Sequence, residues 1–135
     1  MATITEDYVS FETAKLLKEK GFKGYSIFTI YDENAANAYF KELEEKHLPH
    51  CSDDPKLKEF YYTKPTLQMA MKWLRDVHHL FIWISLNPSK ALPYYYQVFR
   101  TDKPENYVIY IDSNFYGSYE MVCDSAIKYC SENLI

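Results

Sequence analysis

The chain is poor in glycine and cysteine. Only Gly21, Gly24 and Gly117 occur in 135 residues. None has the spacing of a phosphate-cradling loop, so a glycine-rich nucleotide site is excluded. The three cysteines, Cys51, Cys123 and Cys130, are too few and odd in number for a disulfide framework. Cys123 and Cys130 lie about 10 Å apart along one predicted helix, too far for a disulfide. They are expected to be buried thiols in a reducing compartment. No run approaches the ~20 apolar residues of a membrane-spanning helix. Residues 1–7 are acidic and lack the apolar stretch of a signal peptide. A cytoplasmic location without a membrane partner is the expectation. A Lys/Arg cluster is also missing. The net charge is −4, and residues 32–59 hold eight acids against four lysines, while the remainder is balanced. A phosphate backbone needs a clustered positive surface, so nucleic acid is an unfavoured partner.

Aromatic side chains are what the chain has in excess. Fourteen tyrosines and an aromatic content of 18% point to β structure and to a contact surface. The length fits one domain, 1–135, able to bury its own core. Residues 32–63 read as an acidic, insertion-like segment within it.

Three helix starts share one local pattern. Ser10-Phe11-Glu12, Thr66-Leu67-Gln68 and Ser118-Tyr119-Glu120 each place a hydroxyl residue before an apolar residue and Glu or Gln. The hydroxyl accepts a hydrogen bond from a free first-turn N–H, and an acid there suits the helix dipole. Helices are predicted over 11–20, 67–78 and 119–133. A further helix is predicted over 33–47, capped by Asp32 and stopped by Pro49. Strands are predicted over 25–31, 80–86, 94–100 and 107–111, with a short edge strand within 58–63. Short turn-like links between the last three long strands argue for an antiparallel meander. The fold class is α+β, an antiparallel β-meander sheet with three or four helices packed mainly on one face. Strand 25–31 is expected to join an edge.

No local motif names a reaction. His47, His50 and Cys51 with Asp53 and Asp54 are metal-like only in composition. The spacing closes no zinc site unless His78 and His79 contribute from elsewhere. No Ser-His-Asp or Cys-His set is indicated, so no catalytic residue, metal or cofactor is assigned. The sheet is the better lead. With aliphatic residues facing the helices, the other face would carry Phe81, Trp83, Tyr94, Tyr96 and Tyr110. Left open, it would bind a protein partner, a sugar or stacked bases. Because the first half of the chain must pack somewhere, residues 25–63 are expected to cover it.

Segments 7–22 (through Tyr8, Ser10, Phe11, Glu12 and Gly21-Phe22), 65–75 (Pro65-Thr66 to Trp73-Leu74-Arg75) and 126–135 (Ala126-Ile127 to Leu134-Ile135) resemble short uncharacterised proteins of gut-commensal bacteria, their phages and mobile elements. The resemblance implies a cytosolic accessory protein and assigns no site residue. Residues 66–133 also share the helix, three strands, helix order of a double-stranded-RNA-binding domain. Such domains carry lysines at the start of the second helix; here that position reads Ser118-Tyr119-Glu120-Met121. The leading expectation is a non-catalytic interaction protein, with an unknown protein partner or as a homodimer. The alternative is a nucleic-acid-associated factor using Lys64, Lys72 and Arg75.

Overall fold

Each of the three hydroxyl caps makes its expected bond. In the computed structural model, Ser10, Thr66 and Ser118 accept from the N–H groups of Thr13, Met69 and Met121. These caps open helices α1 (Phe11–Glu19), α3 (Leu67–His78) and α4 (Tyr119–Asn133). Helix α2 (Glu33–Glu45) starts at Asp32, which accepts from Ala35 N–H. The structure describes residues 7–23, 29–50, 53–103, 105 and 107–135.

Strands β3 (Leu80–Leu86), β4 (Tyr94–Arg100) and β5 (Val108–Ile111) form an antiparallel sheet in the order β3-β4-β5. Helices α3 and α4 lie on one face of this sheet, and α1 packs on α4. The core between these layers is built from Leu17, Leu74, Val98, Val122 and Ile127, all fully buried. Cys123 and Cys130 are buried here too, and burial pushes their thiols up to about 11 and about 12. They are therefore poor nucleophiles at neutral pH. Helix α3 ends at His79 in the left-handed region, φ 58°, and its carbonyl accepts from Thr101 N–H at 3.0 Å. That bond fastens the helix end to the start of the sheet.

Helix α4 also caps α1 from outside. Asp124 accepts from Ser10 N–H at 2.7 Å and from the Thr13 hydroxyl at 3.2 Å. A carboxylate here meets the positive end of the α1 dipole.

The first half of the chain departs from two expectations. Strand β1 (Thr29–Tyr31) pairs antiparallel with β2 (Tyr61–Thr63) in a separate two-stranded sheet, so it does not extend the main one. Residues 25–28 of the predicted strand lie outside the described residues. The small sheet docks on α1: Tyr62 meets Phe11 edge-on at 5.6 Å, and Lys18 Nζ donates to the carbonyls of Glu59 and Tyr61. Helix α2 packs on a short 3-10 helix, Pro55–Phe60. It ends before Pro49, at a turn where His47 has φ 57° and Leu48 N–H bonds the Leu43 carbonyl.

Candidate functional site

The parity of β3 and β4 decides which aromatic residues share a face. Trp83 stands opposite Gln97, Phe81 opposite Phe99 and Ser85 opposite Tyr95. Directly paired residues point to the same side of a sheet. The odd-numbered residues of both strands therefore look away from the helices. On β5, Ile111 pairs with Gln97 and Val108 with Phe99, so both join this outer face. An irregularity opposite Val98 and Phe99 leaves Ile109 as an extra residue between the paired Val108 and Tyr110. This is a bulge, and it breaks the simple alternation along β5.

The five aromatic residues expected on one face are thus divided. Phe81 and Trp83 lie on the outer face. Tyr94, Tyr96 and Tyr110 lie beneath the helices. Tyr96 is only 3% exposed, and Tyr110 stacks on Tyr129 of α4 at 3.8 Å. For Tyr110 the physical reason is Asp112, a buried carboxylate that no local signal in the sequence marks. It accepts from Tyr116 Oη at 2.7 Å, Tyr110 Oη at 3.3 Å and Asn114 Nδ2 at 3.3 Å. Tyrosines go inside where their hydroxyls find an acceptor. Burial, followed by the bond to Asp112, pushes Tyr116 up to about 12. Burial and the Asp112 charge raise Tyr96 further.

The outer face is not covered by the described residues of the segment 25–63, which are 29–50 and 53–63. Described elements between 29 and 63 pack mainly on α1 and on one another, with no extensive contact to β3, β4 or β5. Trp83 is 53% exposed and Ile111 58%. Across the face runs a ladder of rings. Phe81 is 6.2 Å from Trp83, Trp83 is 6.3 Å from Phe99, and Phe99 stacks on Tyr107 at 5.8 Å and 11°. Separately on this face, Tyr95 meets Phe115, over which Lys90 lies at 5.6 Å. The strand residues facing out are Phe81, Trp83, Ser85, Tyr95, Gln97, Phe99, Val108 and Ile111, none of them charged.

Among the described residues no strand pairs with the outer edge of β3, and a cavity of 270 Å³ runs along this free edge. Its walls are Phe81 to Ile84 of the strand, Gln68, Met71 and Arg75 of α3, and Tyr119. Among its described lining residues only Arg75 is charged.

The three basic residues named for nucleic acid do not converge on one surface. Lys72 and Arg75 both pair with Asp76 on α3, Arg75 at 3.5 Å. Lys64 lines a depression shared with Glu120 and Asp124. The His/Cys/Asp loop is also dispersed. His50 lies against Glu44 and the Phe40 ring, while Asp54 caps the 3-10 helix and accepts from Tyr39. Cys51 lies outside the described residues. Among the described residues no three His, Cys, Asp or Glu side chains could hold a metal ion, and no helix is long and apolar enough to cross a membrane.

His78 is the remaining polar group of interest. It packs edge-on against Trp73 at 4.6 Å, and its Nε2 is buried without a hydrogen-bond partner. Burial, then the neighbouring His79, holds its pKa below the ordinary value. The folded state therefore prefers neutral His78. That preference contributes fully above the unfolded pKa, about 6.5, and is lost as pH falls toward the depressed folded value. The urea midpoint of the wild type is expected to fall more between pH 7.5 and 5 than that of His78→Gln. Equal falls in the two proteins would remove His78 as the cause.

No family model, curated protein or solved structure matches the chain.

Proposed function

We propose that the chain is a non-catalytic accessory protein that binds a protein partner through the outer face of its three-stranded sheet. The observation that carries this reading is the uncovered ring ladder Phe81–Trp83–Phe99–Tyr107. Two seven-residue strands and a four-residue one, spaced ~4.8 Å apart, make a platform of roughly 300 Å². Exposed apolar patches of that size often mark contact surfaces. The chemistry of the face favours protein over the other candidates. It has no strand-borne cation to meet phosphate. Apart from the Tyr95 hydroxyl and the Trp83 N–H, Ser85 and Gln97 are its only polar strand residues, few for reading the hydroxyls of a sugar. The resemblance to mobile-element proteins adds the role of an accessory protein and nothing about residues.

The test is a photo-cross-linking amino acid placed at Gln97, in the middle of the face, and separately at Lys128, on α4. In the native host, a discrete protein adduct from position 97 that is absent from position 128, and lost in Trp83→Thr, is expected. Identical adducts at both positions, or none at 97, would contradict the reading. A salt-dependent gel shift of RNA or DNA by the wild type would replace it with the nucleic-acid alternative.

A further inference from the structure

The two edges of the main sheet are unlike. β5 is four residues long and bulged. β3 is seven residues long and pairs with β4 without interruption from Leu80 to Leu86. Its sequence, Leu80-Phe81-Ile82-Trp83-Ile84-Ser85-Leu86, has no charge and no proline. Edge strands are ordinarily guarded by lysine, proline, a bulge or a covering element. β3 has none of the first three, and the 270 Å³ cavity follows its free side.

The hydrogen-bond pattern shows which groups point out. Thr101 N–H bonds the His79 carbonyl, and Asn87 N–H bonds the Pro93 carbonyl. Flanking residues 79 and 87 thus face β4, and strict alternation along β3 makes its odd residues do the same. On β4 the even residues face β5, as Tyr96 and Arg100 do in bonding Asp112 and Tyr107. The N–H and C=O groups of Ile82, Ile84 and Leu86 therefore point to the open edge.

We infer that β3 pairs antiparallel with β3 of a second copy, about a two-fold axis at Trp83, to give one continuous six-stranded sheet. The register follows from the sequence. Trp83 is the midpoint of the strand. Pairing about it sets Leu80 against the partner copy's Leu86, and Ile82 against its Ile84. Both matches are apolar and lie on the helix side, and all are edge-facing positions. About eight inter-chain N–H···O bonds result. Leu86, an aliphatic residue on the helix side of the strand yet 56% exposed, gains a cover. Arg75, at one end of the cavity, comes beside the Gln68–Tyr119 pair of the second copy. Residues at the axis put the two Trp83 side chains next to each other on the outer face.

Pairing would also enlarge the outer face. One sheet offers roughly 300 Å² of outer face, well short of the ~800 Å² that each partner of a stable complex buries. Two sheets joined at β3 offer an uninterrupted platform of about twice the size. The inference rests on the proposed function only for the use of that platform. The edge pairing stands or falls separately.

The experiment is light scattering of the intact wild-type chain across a hundredfold concentration range, with backbone amide exchange measured at both ends. The expected result is twice the chain mass at the upper end. Exchange of the Ile82, Ile84 and Leu86 amides should slow at least tenfold there, while that of exposed loop amides stays unchanged. Ile84→Pro removes a central edge-facing N–H and is expected to weaken dimerisation at least tenfold. A wild-type monomer throughout the range would overturn the inference. So would a dimer whose Ile82, Ile84 and Leu86 amides gain no protection. If Ile84→Pro fails to fold, the exchange data on the wild type decide. A monomer that still cross-links through Gln97 would defeat the edge pairing and leave the face reading intact.

Discussion

Asp112→Ala is expected to lower stability by about 3 kcal/mol, the cost of leaving several buried donors without an acceptor. The carboxylate is 6% exposed and takes hydrogen bonds from Tyr116, Tyr110 and Asn114. Its own N–H bonds the Tyr96 carbonyl at 3.1 Å, which fixes the chain as it leaves β5. Truncation strands two phenol hydroxyls between the sheet and α4, where water cannot replace the acceptor cheaply. Asp112→Asn keeps the shape and one acceptor oxygen, and should lose less than half as much. Tyr116→Phe removes the shortest of these bonds and should cost about 1–2 kcal/mol. Urea unfolding of the three variants, read as a cycle, checks the argument. An Asp112→Ala protein within 1 kcal/mol of wild type would mean that the tyrosine hydroxyls are satisfied elsewhere.

Leu74→Ala is expected to cost about 3–4 kcal/mol, as for other fully buried leucines whose loss leaves a cavity. Leu74 is fully buried, and its helix is the one that contacts both α4 and β3. Losing three heavy atoms of side chain there would loosen both interfaces at once, so the urea midpoint should drop without a change in slope. Met69, on the same helix and 39% exposed, is the comparison. Met69→Ala should stay within about 0.5 kcal/mol of wild type, as expected for a surface substitution. Similar losses at the two positions would mean that α3 is not seated on the sheet by its Leu74 side.

Local rules made much of this fold legible. Helices at Ser10, Thr66 and Ser118 follow from caps, since the hydroxyl, the first-turn N–H groups and the apolar stripe lie within a few residues. Strands 80–86 and 94–100 follow from runs of β-branched and aromatic residues, and the structure has the same bounds. What was not legible is non-local. Both parities of β4 offer aromatic residues, Tyr94 and Tyr96 on one side, Tyr95 and Phe99 on the other. Composition cannot choose between them. The choice is made by pairing across residues 87–93 and by Asp112, which is sixteen positions beyond Tyr96 in the chain. The bulge at Ile109 turned Ile111 outward and Tyr110 inward, against strict alternation. The small β1–β2 sheet went to α1 because Phe11, Lys18 and Tyr62 form a docking point there. That left the outer face of the main sheet free of described elements from the first half.

The central claim is that this outer face is surface and not a second core layer. Its most direct measurement is the unfolding free energy of Trp83→Thr against wild type, at a concentration where both are monomeric. Threonine keeps β propensity. A Trp on an open face should then cost under about 1 kcal/mol when replaced. A loss of about 3 kcal/mol or more, the value for a buried aromatic residue, would contradict the claim and make Trp83 part of the core.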